Sequence, residues 1–125
     1  AEERARAETV LRAVGTTLWV EQETMIDAVT AVSGGGPAYV FYFIEALREA
    51  ALELGFDREQ ARQLVLETFA GALRLAQSSD EDVSVLRERV TSKGGTTERA
   101  LATMNEAQVG AAIVRAVHAA MRRAG

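Results

Sequence analysis

The sequence predicts an all-helical single domain, and three features point there. Ala, Leu, Glu and Arg dominate the composition, and apolar residues recur at three- and four-residue spacing through most of the 125 residues. The single proline and the clustered glycines stand between these periodic stretches. At 48% hydrophobic content a chain of this length buries roughly two thirds of its unfolded surface without a disulfide or metal staple. It is too short to hold a separate dinucleotide-binding domain as well.

The elements follow in order. A first helix is expected over Glu2 to Val14, stopped by Gly15. Thr16-Thr17-Leu18-Trp19-Val20 is β-prone but isolated, so it reads as an extended connector. A second helix runs from about Glu23 to Val32 and ends at the triple glycine, after which Pro37 opens a third that reaches Leu54. Gly55 stops that helix, and Asp57 with Gln60 forms the capping-box pattern of a fourth that continues to Ala76 or Gln77. The polar Ser78–Asp82 segment leads into a short helix near Asp82 to Val90. Ser92-Lys93-Gly94-Gly95 is a second loop, and Thr96-Thr97 starts a sixth helix. A last helix spans Val109 to Ala124, with Val109, Ile113, Val117 and Met121 as its apolar stripe.

Two of these helices are too apolar for a small monomer. Ala38 to Ile44 carries no charge, and Leu64 to Ala76 carries only Glu67 and Arg74, so both should be buried nearly all round. Ala70, Gly71, Ala72 and Ala76 would let helix backbones approach closely. An intertwined homodimer buries both helices and is favoured over a monomer.

Composition excludes several function classes. With no cysteine, thiolate metal sites, thiol nucleophiles and disulfides are ruled out, and the one histidine, His118, has no second imidazole to share a metal. His118 flanks the apolar stripe and reads as a partly buried surface histidine. The net charge of -4 and the alternation of arginine with glutamate argue against a nucleic-acid footprint. No signal-peptide core opens the chain, and the uncharged run Ala28 to Ile44 is broken by glycines and Pro37, so no spanning helix is expected. A soluble, cytoplasmic protein is the expectation.

Two loops bear on chemistry. Ser33-Gly34-Gly35-Gly36-Pro37 sets bare backbone before a helix N-terminus, which serves either as a tight interhelical turn or as a cradle for an anion. Ser92-Lys93-Gly94-Gly95-Thr96-Thr97 is the fuller case. Hydroxyls flank a glycine pair at a helix start, so O–H and N–H donors can converge on a carboxylate or phosphate; an ordinary capped loop is the competing reading. Lys93 is the only lysine beside thirteen arginines, which reflects a bias towards arginine as readily as a catalytic amine. Asp80-Glu81-Asp82 reads mostly as a solvated, capping loop. Tyr39, Phe41, Tyr42 and Phe43 after Pro37 are core or dimer anchors, with a ring-stacking site as the alternative.

Taken together, the run Asp27 to Phe41 around Ser33-Gly34-Gly35-Gly36-Pro37, and Val90-Thr91-Ser92-Lys93-Gly94-Gly95-Thr96-Thr97, resemble the C-terminal domain of pyrroline-5-carboxylate reductase over essentially residues 1–125. The second motif is the specific one. The resemblance implies an interwoven helical dimerisation and substrate-binding domain, with an N-terminal Rossmann domain for NADH or NADPH that is absent from this chain. It implies a homodimer, extending in many members to a decamer built as a pentamer of dimers. It also implies a site between the cofactor domain of one subunit and the helical domain of its partner. There, in the last step of proline biosynthesis, hydride passes to the C=N carbon of 1-pyrroline-5-carboxylate to give L-proline.

Matched to the signature, Ser92 and the Thr96 and Thr97 amides would hold the substrate carboxylate, with the Thr97 hydroxyl near the ring nitrogen as the catalytic candidate. Val90 and Pro37 would form an apolar wall. The sequence departs from the family in places. Gly35 replaces a usual serine, Asp82-Val83 stands for a His-Pro pair, and Lys93 takes a position where proline is common. Asp80 is the nearest match to a family glutamate, one methylene shorter, and is the weaker site candidate. The chain alone is expected to be inactive. The alternative from a different class is a non-catalytic helical oligomerisation module whose glycine loops are only turns.

Overall fold

The computed structural model describes residues 23–124. The expected first helix, Glu2 to Val14, and the Thr16–Val20 connector lie outside these residues. The described residues form helices joined by short turns and loops, with no strand among them. They form α1 (Glu23–Val29), a π-helical turn (Thr30–Gly34), α2 (Gly36–Glu53), α3 (Arg58–Ser78), α4 (Val83–Arg89), α5 (Thr96–Glu106) and α6 (Val109–Ala124). They fall into two compact units, 23–41 with 109–124, and 42–108.

In the first unit, α1, the π-helical turn and α6 pack on one another. Ile26 is fully buried, with Val29 packed against it, and Ala31 is buried in the π-helical turn. Of the expected α6 stripe, Val109, Val117 and Met121 are half-buried while Ile113 is exposed. His118 is exposed as well, which corrects the expectation of partial burial.

The second helix does not end at Val32. It winds on as a π-helix through Ser33 and Gly34, closed by the Gly35 amide donating to the Thr30 carbonyl at 3.1 Å. Two contacts explain the wider turn. The Thr30 hydroxyl bonds back to the Ile26 carbonyl at 3.0 Å, and the Tyr39 hydroxyl donates to the Ala31 carbonyl at 2.7 Å, so a carbonyl freed by the widened ladder keeps a partner.

In the second unit, α2 turns back into α3 through a glycine-closed end. The Gly55 amide donates to Leu52 and the Phe56 amide to Ala51, at 3.1 and 3.2 Å, and Gly55 takes φ 106°, a Schellman termination. Asp57 then caps α3. Its carboxylate accepts from the Gln60 amide at 2.8 Å, and the Gln60 side chain accepts from the Asp57 amide at 3.0 Å, completing the predicted capping box.

Ala51, Ala61 and Val65 are the buried apolar residues of this unit, and the Phe43 and Phe69 rings meet edge-on at 5.6 Å. Most large apolar side chains stay open. Phe41 and Tyr42 are 63% and 76% exposed, and Leu73, Leu75 and Val83 are exposed too. The burial expected for Ala38–Ile44 and Leu64–Ala76 is therefore not supplied among the described residues. Large apolar side chains left exposed along helices mark a face for association.

Candidate functional site

The candidate site grows from the short helix α4 and the loop that follows. Asp82 caps α4, its carboxylate accepting from the Ser84 amide at 3.0 Å and from the Ser84 hydroxyl. These two bonds, the hydroxyl's first, hold the Asp82 carboxyl below its ordinary pKa. Glu81 pairs with Arg89 one helix length away, leaving Asp80 as an exposed carboxylate. The helix starts at this point because Asp is a strong N-cap.

The helix closes at Val90, and the Thr91 hydroxyl bonds to the Arg87 carbonyl at 2.6 Å. Val90 is 63% exposed and shares an apolar groove with Phe69, Leu73, Val83 and Leu86. Ser92-Lys93-Gly94-Gly95 then makes a tight turn, the Gly95 amide donating to the Ser92 carbonyl at 3.0 Å. Gly94, third in the turn, has φ 77°, a left-handed value that favours glycine. At Gly95 the reason is space, since an added Cβ would lie 3.2 Å from the Ser92 carbonyl oxygen.

Gly95 is the N-cap of α5 and has no side chain to offer the helix start. The amides of Thr96 and Thr97, and the hydroxyls of Ser92, Thr96 and Thr97, hydrogen-bond to no described residue. Ser92, Thr96 and Thr97 are all exposed. Unpaired N–H groups at a helix start, with hydroxyls beside them and the positive end of the dipole behind, suit an anion.

Comparison with known proteins places the chain. The family model described as pyrroline-5-carboxylate reductase dimerisation matches residues 23–125.

The chain belongs to the pyrroline-5-carboxylate reductase dimerisation family.

Relatives agree. A pyrroline-5-carboxylate reductase from Vibrio alginolyticus is 46% identical over 98% of this chain and 45% of its own length. One from Pseudomonas aeruginosa is 45% identical over 94% of this chain and 43% of its own. Among solved structures, the reductase of Coxiella burnetii matches with a TM-score of 0.85 at 41% identity, covering 98% of this chain and 46% of that one. The Plasmodium falciparum enzyme, solved with NADP bound, matches with a TM-score of 0.80 at 36% identity, over 83% of this chain and 40% of that one. The chain spans about half the length of the curated relatives it matches.

Within this family domain, one continuous stretch carries Val90, Ser92, Thr96 and Thr97 together at the start of α5. Pro37 stands in the other unit, exposed at the second position of α2. Sequence reasoning missed Glu98. Its carboxylate accepts from the Gly94 amide at 3.0 Å. The available signal was its position three residues after the helix cap, where an acid reaches back to the preceding turn.

Proposed function

We propose that this chain is the dimerisation and substrate-holding part of a cytoplasmic reductase that converts 1-pyrroline-5-carboxylate to L-proline with NADH or NADPH. It works as a homodimer, in the manner of a pentamer of dimers where the assembly grows further. The observation that carries the reading is the pair of unpartnered amides, Thr96 and Thr97, beside the Ser92 hydroxyl at the start of α5 in a chain of this family. These donors bind the substrate carboxylate, which leaves the Thr97 hydroxyl to meet the ring nitrogen. Val90 walls the ring, and Asp80 is the weaker candidate for a polar contact. Fixing the ring by its carboxylate orients the face on which the C=N bond is reduced, the positioning share of catalysis.

A nicotinamide dinucleotide supplies a hydride when bound, and NADP in the Plasmodium relative supports its use here. The described residues do not fit that group. None forms a strand feeding a glycine-rich helix start, so the dinucleotide site is proposed on the cofactor domain that such reductases join to this one.

The experiment is kinetic. In the full-length reductase, Ser92→Ala or Thr97→Val should lower kcat/KM roughly tenfold or more, because a hydrogen bond to a charged group contributes about 1.5–3 kcal/mol. Parental kinetics in both variants would leave only the second reading, a non-catalytic oligomerisation module, which the open apolar faces of α2 and α3 also favour.

A further inference from the structure

We infer that Glu98 is a positioning residue of the carboxylate loop: it fastens Gly94 to the start of α5, and its charge works against the incoming substrate carboxylate. The inference rests on the reading of Ser92–Thr97 as the substrate loop.

The turn from Ser92 to Gly95 is held by one backbone bond, Gly95 to Ser92. The Gly95 carbonyl accepts from the Arg99 amide at 3.3 Å as the helix begins, and the side-chain tie is the Glu98 carboxylate, which accepts from the Gly94 amide at 3.0 Å. The helix cap, Gly95, contributes no side chain, so among the described residues Glu98 alone ties the loop to α5 through a side chain. Gly94 sits at φ 77°. Glycine reaches that conformation freely but also leaves it freely, so the backbone there needs a partner to hold it. The placement of the Ser92 hydroxyl relative to the Thr96 and Thr97 amides therefore depends on the bond made by Glu98.

The same carboxylate has a second effect. Glu98 lies in the first turn of α5, where the helix dipole favours a negative charge. The substrate carboxylate is to bind at this end of the helix. Two negative charges then share one dipole and repel, an effect that salt screens because Glu98 is exposed. Geometry and charge are separable by chemistry. A glutamine keeps a carbonyl oxygen for the Gly94 amide and removes the charge, whereas an alanine removes both.

The test uses the full-length reductase with pyrroline-5-carboxylate as the varied substrate, together with hydrogen exchange at the Gly94 amide. Glu98→Ala should raise KM more than it changes kcat, and the Gly94 amide should exchange faster. Glu98→Gln should keep the Gly94 protection and lower KM below the parental value by about two- to fivefold at low salt, the size of one charge–dipole interaction. That gain should shrink as salt is added. Parental KM and parental Gly94 exchange in Glu98→Ala overturn the inference, as does a Glu98→Gln variant whose KM rises as far as that of Glu98→Ala. Ser92→Ala, measured alongside, separates the two levels. If it raises KM and Glu98→Ala does not, the Glu98 inference alone fails; if Ser92→Ala is itself parental, the substrate-loop reading fails and takes this inference with it.

Discussion

The Tyr39 hydroxyl donates to the carbonyl of Ala31, eight residues earlier, at 2.7 Å, and thereby ties the first turn of α2 to the π-helical turn before it. Gly35 makes this possible. A Cβ on Gly35 would stand 2.5 Å from the Tyr39 hydroxyl oxygen and 2.8 Å from the ring carbon that bears it. The space that a side chain at this position would take is filled by the tyrosine.

Removing the hydroxyl alone, with Tyr39→Phe, should cost about 1 kcal/mol in thermal or denaturant unfolding, the net worth of one neutral hydrogen bond. Gly35→Ala should cost more, about 1–3 kcal/mol, because the ring must swing away and the Ala31 carbonyl loses its donor. Gly35→Ser should cost less than Gly35→Ala, since a serine hydroxyl can donate to the carbonyl four residues back. Equal melting temperatures for the alanine and serine variants would contradict the exchange of one hydroxyl for the other.

Glycines on the same chain should respond with opposite sign. Gly55 has φ 106°, so Gly55→Ala should destabilise by about 1–2 kcal/mol, the strain of a left-handed residue with a Cβ. Gly110 lies in α6, where an added Cβ would meet no described atom within 4 Å apart from its chain neighbours and the backbone of its own helix, and Gly110→Ala should stabilise by about 0.4–1 kcal/mol. Unfolding midpoints of the two variants on either side of the parent are the expected outcome.

Gln108 is the converse case. It joins α5 to α6 at φ 58°, a left-handed value that glycine adopts without a Cβ clash. Gln108→Gly should therefore raise stability by about 0.5–1 kcal/mol, and the β-branched Gln108→Val should lower it. A lower melting temperature for the glycine variant would show that the Gln108 side chain contributes more than its backbone costs.

Acid should loosen the start of α4. The Ser84 hydroxyl and amide hold the Asp82 carboxyl below its usual pKa, so the cap's contribution is complete above the ordinary aspartate value of about 3.9 and is lost as pH falls through the depressed folded value. An NMR titration should place the Asp82 midpoint below that of an unstructured aspartate, with the Ser84 amide shifting in step. A midpoint at or above the unstructured value would remove the cap from the account.

Much of this was legible because it is local. The Asp57–Gln60 box, the Gly55 stop and the Thr96 start each depend on residues within a turn of one another, and the structure forms each as the sequence predicts. The π-helical turn was not legible, because it depends on Tyr39 reaching back to Ala31 and on α6 packing against it. Glu98 was hidden for another reason. In the usual capping box an acid at that position returns to the N-cap amide, but here the cap is Gly95 and the acid reaches one residue further, to Gly94. The faces of α2 and α3 are as apolar as the sequence indicates, and the described residues leave them open.

That uncovered surface gives the most direct test of the account's central claim, that this domain completes its core with a second copy. Sedimentation equilibrium of residues 1–125 at micromolar concentration should return twice the mass of one chain or a higher multiple, and cooperative unfolding should shift to lower temperature on dilution. A single-chain mass with a cooperative, concentration-independent transition would contradict it.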